Sequence, residues 1–151
     1  MALKNKMMTA TEARNLGKLH KQLADTLEYG KSKAELQIVV DAIGLALISK
    51  FIGATTGGLA TVVTALWRIN SSQNKRATAS HLRGAQYAFE RIASVISAGG
   101  HQRAEVQQVW IVYPSITTRH ELVEGVRSNP GQAYKILRVQ LKNGSWVSYS
   151  S

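Results

Sequence analysis

Leucines at 16, 19, 23 and 27 recur at spacings of three and four, which places them in one stripe on one face of a helix. Thr9 and Glu12 have the spacing of a capping box, which satisfies two backbone donors at a helix start. Gly30 follows the stripe. The pattern predicts an amphipathic helix over 9–29, its narrow leucine seam set against another helix. Ser32 and Glu35 repeat the capping box, and from Leu36 to Ile52 the chain is apolar on nearly every helical face, as expected of a helix deep in protein or in lipid.

The run continues to Trp67. Ala42–Trp67 spans 26 residues with one charge, Lys50, and four glycines, three of them in GATTGG at 53–58. A helix needs about 20 apolar residues to cross a bilayer. The run is long enough, but Lys50 and the glycines weaken it as a span. GATTGG reads either as a turn between two antiparallel helices or as part of one long helix. In the second case Gly53 and Gly57 have GxxxG spacing, with Gly58 one step beyond, and let two helices approach closely. Trp67 and Arg68 stand where an interfacial anchor would sit. Asp41 and Lys50 are too far apart to pair along one helix, so each needs a partner, a lumen or an interface.

SSQNKR at 71–76 reads as a linker. Leu82, Ala85, Phe89, Ile92 and Ile96 then share a face, predicting a helix over 78–98 that Gly99 and Gly100 stop. The last third changes character. Val106–Tyr113 is β-branched and aromatic, predicting a strand. Thr118 and Glu121 make a third capping box, for a short helix to about Arg127. Tyr134–Leu141 alternates, and Asn143-Gly144 is a hairpin turn from which Ser145–Tyr149 returns. Trp110, Tyr113, Tyr134, Trp146 and Tyr149 could stack on bases from a sheet surface; Trp110 and Trp146 are read instead as the inner face of this β–α–β–β unit.

Charge sharpens the picture. The 151-residue chain carries a net +10, a balance that favours anionic partners. Residues 1–33 are net +4, 34–67 net −1, 68–103 net +5 and 104–151 net +2. The apolar run is thus flanked by basic segments, as suits anionic headgroups. The candidate anionic-surface residues are Lys18, Lys21, Lys31 and Lys33 before the run, and Lys75, Arg76, Arg83 and Arg91 after it.

Candidate chemistry is sparse. The chain has no cysteine, which excludes disulfides, thiolate metal sites and thiol nucleophiles. His20, His81, His101 and His120 show no metal-ligand spacing. No phosphate-binding glycine loop or serine elbow is present. Tyr113, Arg119, His120 and Glu121 could support metal-free RNA cleavage, but capping already accounts for Glu121. No secretory signal precedes the first helix.

These observations predict an α+β chain. A helical region at 1–100 holds the apolar segment 34–69, and a small α/β unit with a C-terminal hairpin occupies 101–151. The expected function is non-enzymatic: a cationic, bacteriocin-like or phage envelope-penetrating protein that inserts or docks through 34–69. It self-associates through Gly53, Gly57 and Gly58, with Lys50, Trp67 and Arg68 at the interface. The expected partners are an anionic membrane surface or a second copy, with nucleic acid a further candidate. No catalytic residue, metal, cofactor or small-molecule substrate is assigned. The alternatives are a structural component of a phage particle, with basic segments facing nucleic acid, and a small basic toxin ribonuclease using the cluster at 113–121.

Overall fold

A computed structural model describes residues 2–53, 58–71, 74–112, 121–123 and 134–149. The chain is α+β, an N-terminal helical region followed by an antiparallel sheet region. Helix α1 (Ala10–Tyr29) opens with the expected box: Thr9 Oγ1 accepts from Glu12 N–H at 3.1 Å, and Glu12 Oε1 accepts from Thr9 N–H at 2.9 Å. All four leucines of its stripe are buried. Gly30 closes it in a left-handed conformation, φ 65°, which costs glycine no Cβ clash.

Helix α5 (Lys75–Ala98) starts earlier than its hydrophobic stripe suggested. The reason is Asn74, whose Oδ1 accepts from Ala77 N–H at 3.3 Å and so caps a turn made of polar residues. The linker read at 71–76 is correspondingly shorter. Phe89 of α5 faces Gly17 of α1 so closely that a Cβ at Gly17 would lie 3.4 Å from that of Phe89. The two helices pair along their length.

Segment 33–71 is neither one long helix nor a plain hairpin. Helix α2 (Lys33–Ile43) ends at Gly44, φ 91°. A short α3 (Leu45–Leu47) passes into a wide π-type turn, Ile48–Ile52, closed by Gly53 N–H on Ile48 C=O at 3.0 Å. Helix α4 (Leu59–Trp67) resumes after Gly58 and tightens into a 3₁₀ turn at Arg68–Ser71. Leu36, Val40, Phe51, Ile52, Val63 and Leu66 join the hydrophobic cluster that also holds Leu19, Phe89 and Trp110.

The sheet contains a strand that the pattern did not predict. β1 (Ala2–Met8) lies antiparallel to β2 (Arg103–Val112), with Ala2 opposite Trp110 and Met8 opposite Ala104. The order is β1-β2-β4-β5, where β4 is Tyr134–Gln140 and β5 is Trp146–Ser148. β3 (Glu121–Val123) pairs with β2 beyond β4. Glu121–Val123 is therefore strand where the Thr118–Glu121 spacing suggested a helix start, paired with Val112, Ile111 and Trp110; Thr118 and the rest of that expected helix, 124–127, lie outside the described residues.

Ala104, Val106, Gln108 and Trp110 alternate onto the inner face of β2 and are buried. Gln108 stands out among them. It is 1% exposed, and neither its Nε2 nor its Oε1 has a hydrogen-bond partner among the described residues. An unpaired buried amide carries its full desolvation cost, about 1–3 kcal/mol. Gln108→Met keeps the volume and removes both polar atoms. It should raise the unfolding free energy by about 1–2 kcal/mol in urea titrations, with the slope unchanged.

Candidate functional surface

Lys50, the one charge of the apolar run, and Asp41, just before it, both have partners at the protein surface. Lys50 Nζ lies 2.9 Å from Glu12 Oε2. Asp41 Oδ1 accepts from Gln37 Nε2 at 2.7 Å. Burial tends to raise the Glu12 pKa, but the Lys50 ammonium and the Thr9 hydrogen bonds outweigh it, holding the carboxyl below its ordinary 4.5. Nearby, Lys6 Nζ donates to Phe51 C=O at 3.3 Å and sits 4.0 Å from the Trp110 ring centroid, a cation–π distance. Two lysines, one on β1 and one on the π turn, thus tie this turn to the first strand and first helix.

No helix among the described residues is long and apolar enough to cross a membrane. Gly53 ends the π-type turn and Gly58 precedes α4, with φ 152° and 82°, so neither lies within a helix. Gly57 lies outside the described residues. Trp67 is half-buried and Arg68 exposed at the end of α4.

The outer face of α2 remains open. Leu36 and Val40 point into the core, while Ala34, Ile38 and Ala42 are exposed at four-residue steps. Ile38 is 68% exposed, and Leu45, just past the Gly44 bend, is 47% exposed. Between α1 and α2 runs a groove of about 310 Å³, with Ile38, Val39, Ala42 and Ile43 on one wall and Lys18 and Lys21 on the other. Lys31 and Lys33 are exposed at the entry to α2. An apolar ridge with a lysine rim is therefore built from two elements. Its signal was in the sequence as apolar residues at 34, 38, 42 and 45, a stripe outside the Leu36–Val40 one. Reading Leu36–Ile52 as apolar all round hid it.

The other candidate cations divide. Arg83 is a staple between the long helices: its Nη2 lies 2.6 Å from Asp25 Oδ1 and its Nε 3.0 Å from Glu28 Oε1. Burial would lower its pKa, and the two carboxylates more than reverse that. Lys75 and Arg76 line a separate cleft with Leu27 and Glu28. Arg91 is exposed on α5, beside His101 and Tyr149. The structure thus brings Lys18 and Lys21 to the ridge and leaves Lys75, Arg76 and Arg91 elsewhere.

Tyr113, Arg119 and His120 lie outside the described residues, and Glu121 belongs to β3. No group of three His, Cys, Asp or Glu among the described residues is placed to hold a metal ion. The buried histidine has a structural task. His20 Nδ1 donates to Leu16 C=O at 2.7 Å, and its Nε2 accepts from Val123 N–H at 3.0 Å. Burial lowers its pKa from 6.5 to about 4, the Leu16 hydrogen bond offsetting part of the effect.

Comparison with known proteins adds no further constraint: no family model, curated protein or solved structure matches this chain.

Proposed function

We propose that this is a non-enzymatic, cationic protein that docks on anionic membrane surfaces through the outer face of α2 and the Leu45 bend. The observation that carries the reading is the exposed ridge of Ile38, Ala42 and Leu45 beside Lys18 and Lys21. Large apolar side chains left in water next to lysines suit an interface, where the apolar face settles about 5–10 Å into the headgroup boundary. Each nearby lysine adds about 1 kcal/mol on an anionic leaflet. Lys18, Lys21, Lys31 and Lys33 outnumber Glu35, Asp41 and Asp25, the last 3.9 Å from Lys21, so the local balance has the required sign. Short helices broken at Gly44, Gly53 and Gly58 support lying on the surface in preference to crossing it.

Flotation with vesicles tests this. The chain should bind vesicles rich in phosphatidylglycerol, bind pure phosphatidylcholine far less, and lose affinity as salt rises. Ile38→Glu with Leu45→Glu should weaken partitioning by about ten-fold or more, since each side chain forfeits one to two kcal/mol of burial. Both positions are exposed, so thermal stability should stay near that of the parent. Equal binding to neutral vesicles, or no response to the double substitution, rejects the reading.

A further inference from the structure

The face of the sheet turned away from the helices carries a second surface. Along β2, Arg103, Glu105 and Gln107 alternate with the buried Ala104, Val106 and Gln108, and so point outward. The register aligns these side chains into three cross-strand rows. Asn5, Gln107 and Lys135 form one, and Met7, Glu105, Arg138 and Ser148 the next. The third is Arg103, Gln140 and Trp146. Each row is fixed by a hydrogen bond between its members: Gln107 Nε2 to Asn5 Oδ1 at 3.1 Å, Arg138 Nε to Glu105 Oε1 at 3.1 Å, and Arg103 Nε to Gln140 Oε1 at 2.7 Å.

Trp146 completes the arrangement. The sequence pattern put it in the core with Trp110. Only Trp110 is there, at 1% exposure. Trp146 is half-buried on the outer face, its ring centroid 4.4 Å from the Arg138 guanidinium carbon and 5.5 Å from that of Arg103. The indole and the two guanidiniums together make one flat, cationic platform.

We propose that this outer face binds single-stranded nucleic acid. The ligand must offer flat aromatic groups and negative charge together, and a single strand offers both. Arg103, Lys135 and Arg138 face it against one carboxylate, Glu105, so the rows carry net positive charge within a chain of +10. Asn5 Nδ2 and Gln107 Oε1, the ends of the two amides not used in their mutual bond, supply a donor and an acceptor to base edges. A lipid surface fits these rows poorly, because Met7 and Trp146 are their apolar members and both are half-buried, while the exposed Leu3, opposite Val109 on the same face, lies beyond them. A duplex fits poorly as well, because its base faces are already stacked on one another and offer Trp146 nothing to stack on. No residue of α2 takes part, so this assignment stands or falls apart from the membrane reading.

The test is fluorescence anisotropy of the full chain with a labelled oligouridylate of about 15 nucleotides, near the site size of such platforms. The parent should bind with affinity falling steeply between roughly 50 and 200 mM salt. Trp146→Ala should weaken binding by about ten-fold or more, and Trp146→Phe, which keeps a stacking face, by much less. Arg103→Gln with Lys135→Gln should reduce the salt slope by about one to two. Inorganic polyphosphate, a base-free polyanion, should compete poorly. Circular dichroism and the thermal midpoint report on folding. Should Trp146→Ala unfold, the Arg103–Lys135 variant and the polyphosphate competition decide instead. Unchanged affinity in a folded Trp146→Ala variant, or displacement by polyphosphate as effective as by unlabelled oligouridylate, overturns the assignment.

Discussion

Trp110→Ala is expected to lower the unfolding free energy by about 3–5 kcal/mol, the range for emptying a large aromatic site. Trp110 is the point at which three layers meet. It lies between Ala2 of β1 and Val123 of β3 in the sheet, packs edge-on to Phe89 of α5 with centroids 6.4 Å apart, and carries the Lys6 ammonium on its face. Alanine would leave a cavity that neither long helix can close, since Gly17 already sets their spacing against Phe89. Trp110→Phe should cost much less. The indole Nε1 has no hydrogen-bond partner among the described residues, so phenylalanine gives up volume and no polar contact. Urea unfolding of the two variants checks the order. Equal losses would mean that the indole N–H, not the ring volume, matters.

Acid should destabilise the protein through His20. Its pKa lies near 4 in the folded chain against 6.5 ordinarily, so between these values the unfolded chain binds the proton and the folded chain refuses it. Stability is therefore complete above pH 6.5, falls as pH drops, and loses its last His20-dependent part near pH 4. At about 1.4 kcal/mol per pH unit the total is about 3 kcal/mol. The structural cause is plain: a protonated ring would have donors on both nitrogens, and Val123 N–H already points at Nε2. His20→Gln can keep an acceptor for Val123 N–H without titrating. Its stability between pH 6.5 and 5 should be nearly flat, with the Glu12–Lys50 pair taking over the acid response below the ordinary carboxylate pKa. A parent and variant with the same slope would exclude His20 as the source.

Much of the helical part was legible because local and tertiary signals agreed. Thr9, Glu12 and Ser32 cap where their spacing says, and the leucines of α1 face the core. β1 escaped notice because its pattern runs against its burial. Leu3 is largely exposed, while Lys6 lies on the side facing Trp110 and Phe51. An inward lysine makes sense only with an aromatic face and a carbonyl waiting for it, and both come from distant parts of the chain. β3 was hidden by a capping spacing at Thr118–Glu121, whereas Glu121–Val123 pairs with a strand outside that motif. The α2 ridge was hidden, and base stacking by Trp146 was set second to a core role, for a related reason. Ile38 and Trp146 are residue types that sequence reasoning assigns to interiors, and their exposure follows from helix rotation and hairpin register, which depend on partners outside the motif.

The pairing of β1 with β2 joins residues about a hundred positions apart, and it has a consequence for biogenesis. During synthesis the first strand has no partner until Arg103–Val112 leaves the ribosome, and the greasy stretch between waits with it. Such non-local closure is entropically late and slows folding towards the millisecond-to-second range. Nascent chains should therefore depend on holding factors, or on prompt capture by a surface, for most of their emergence.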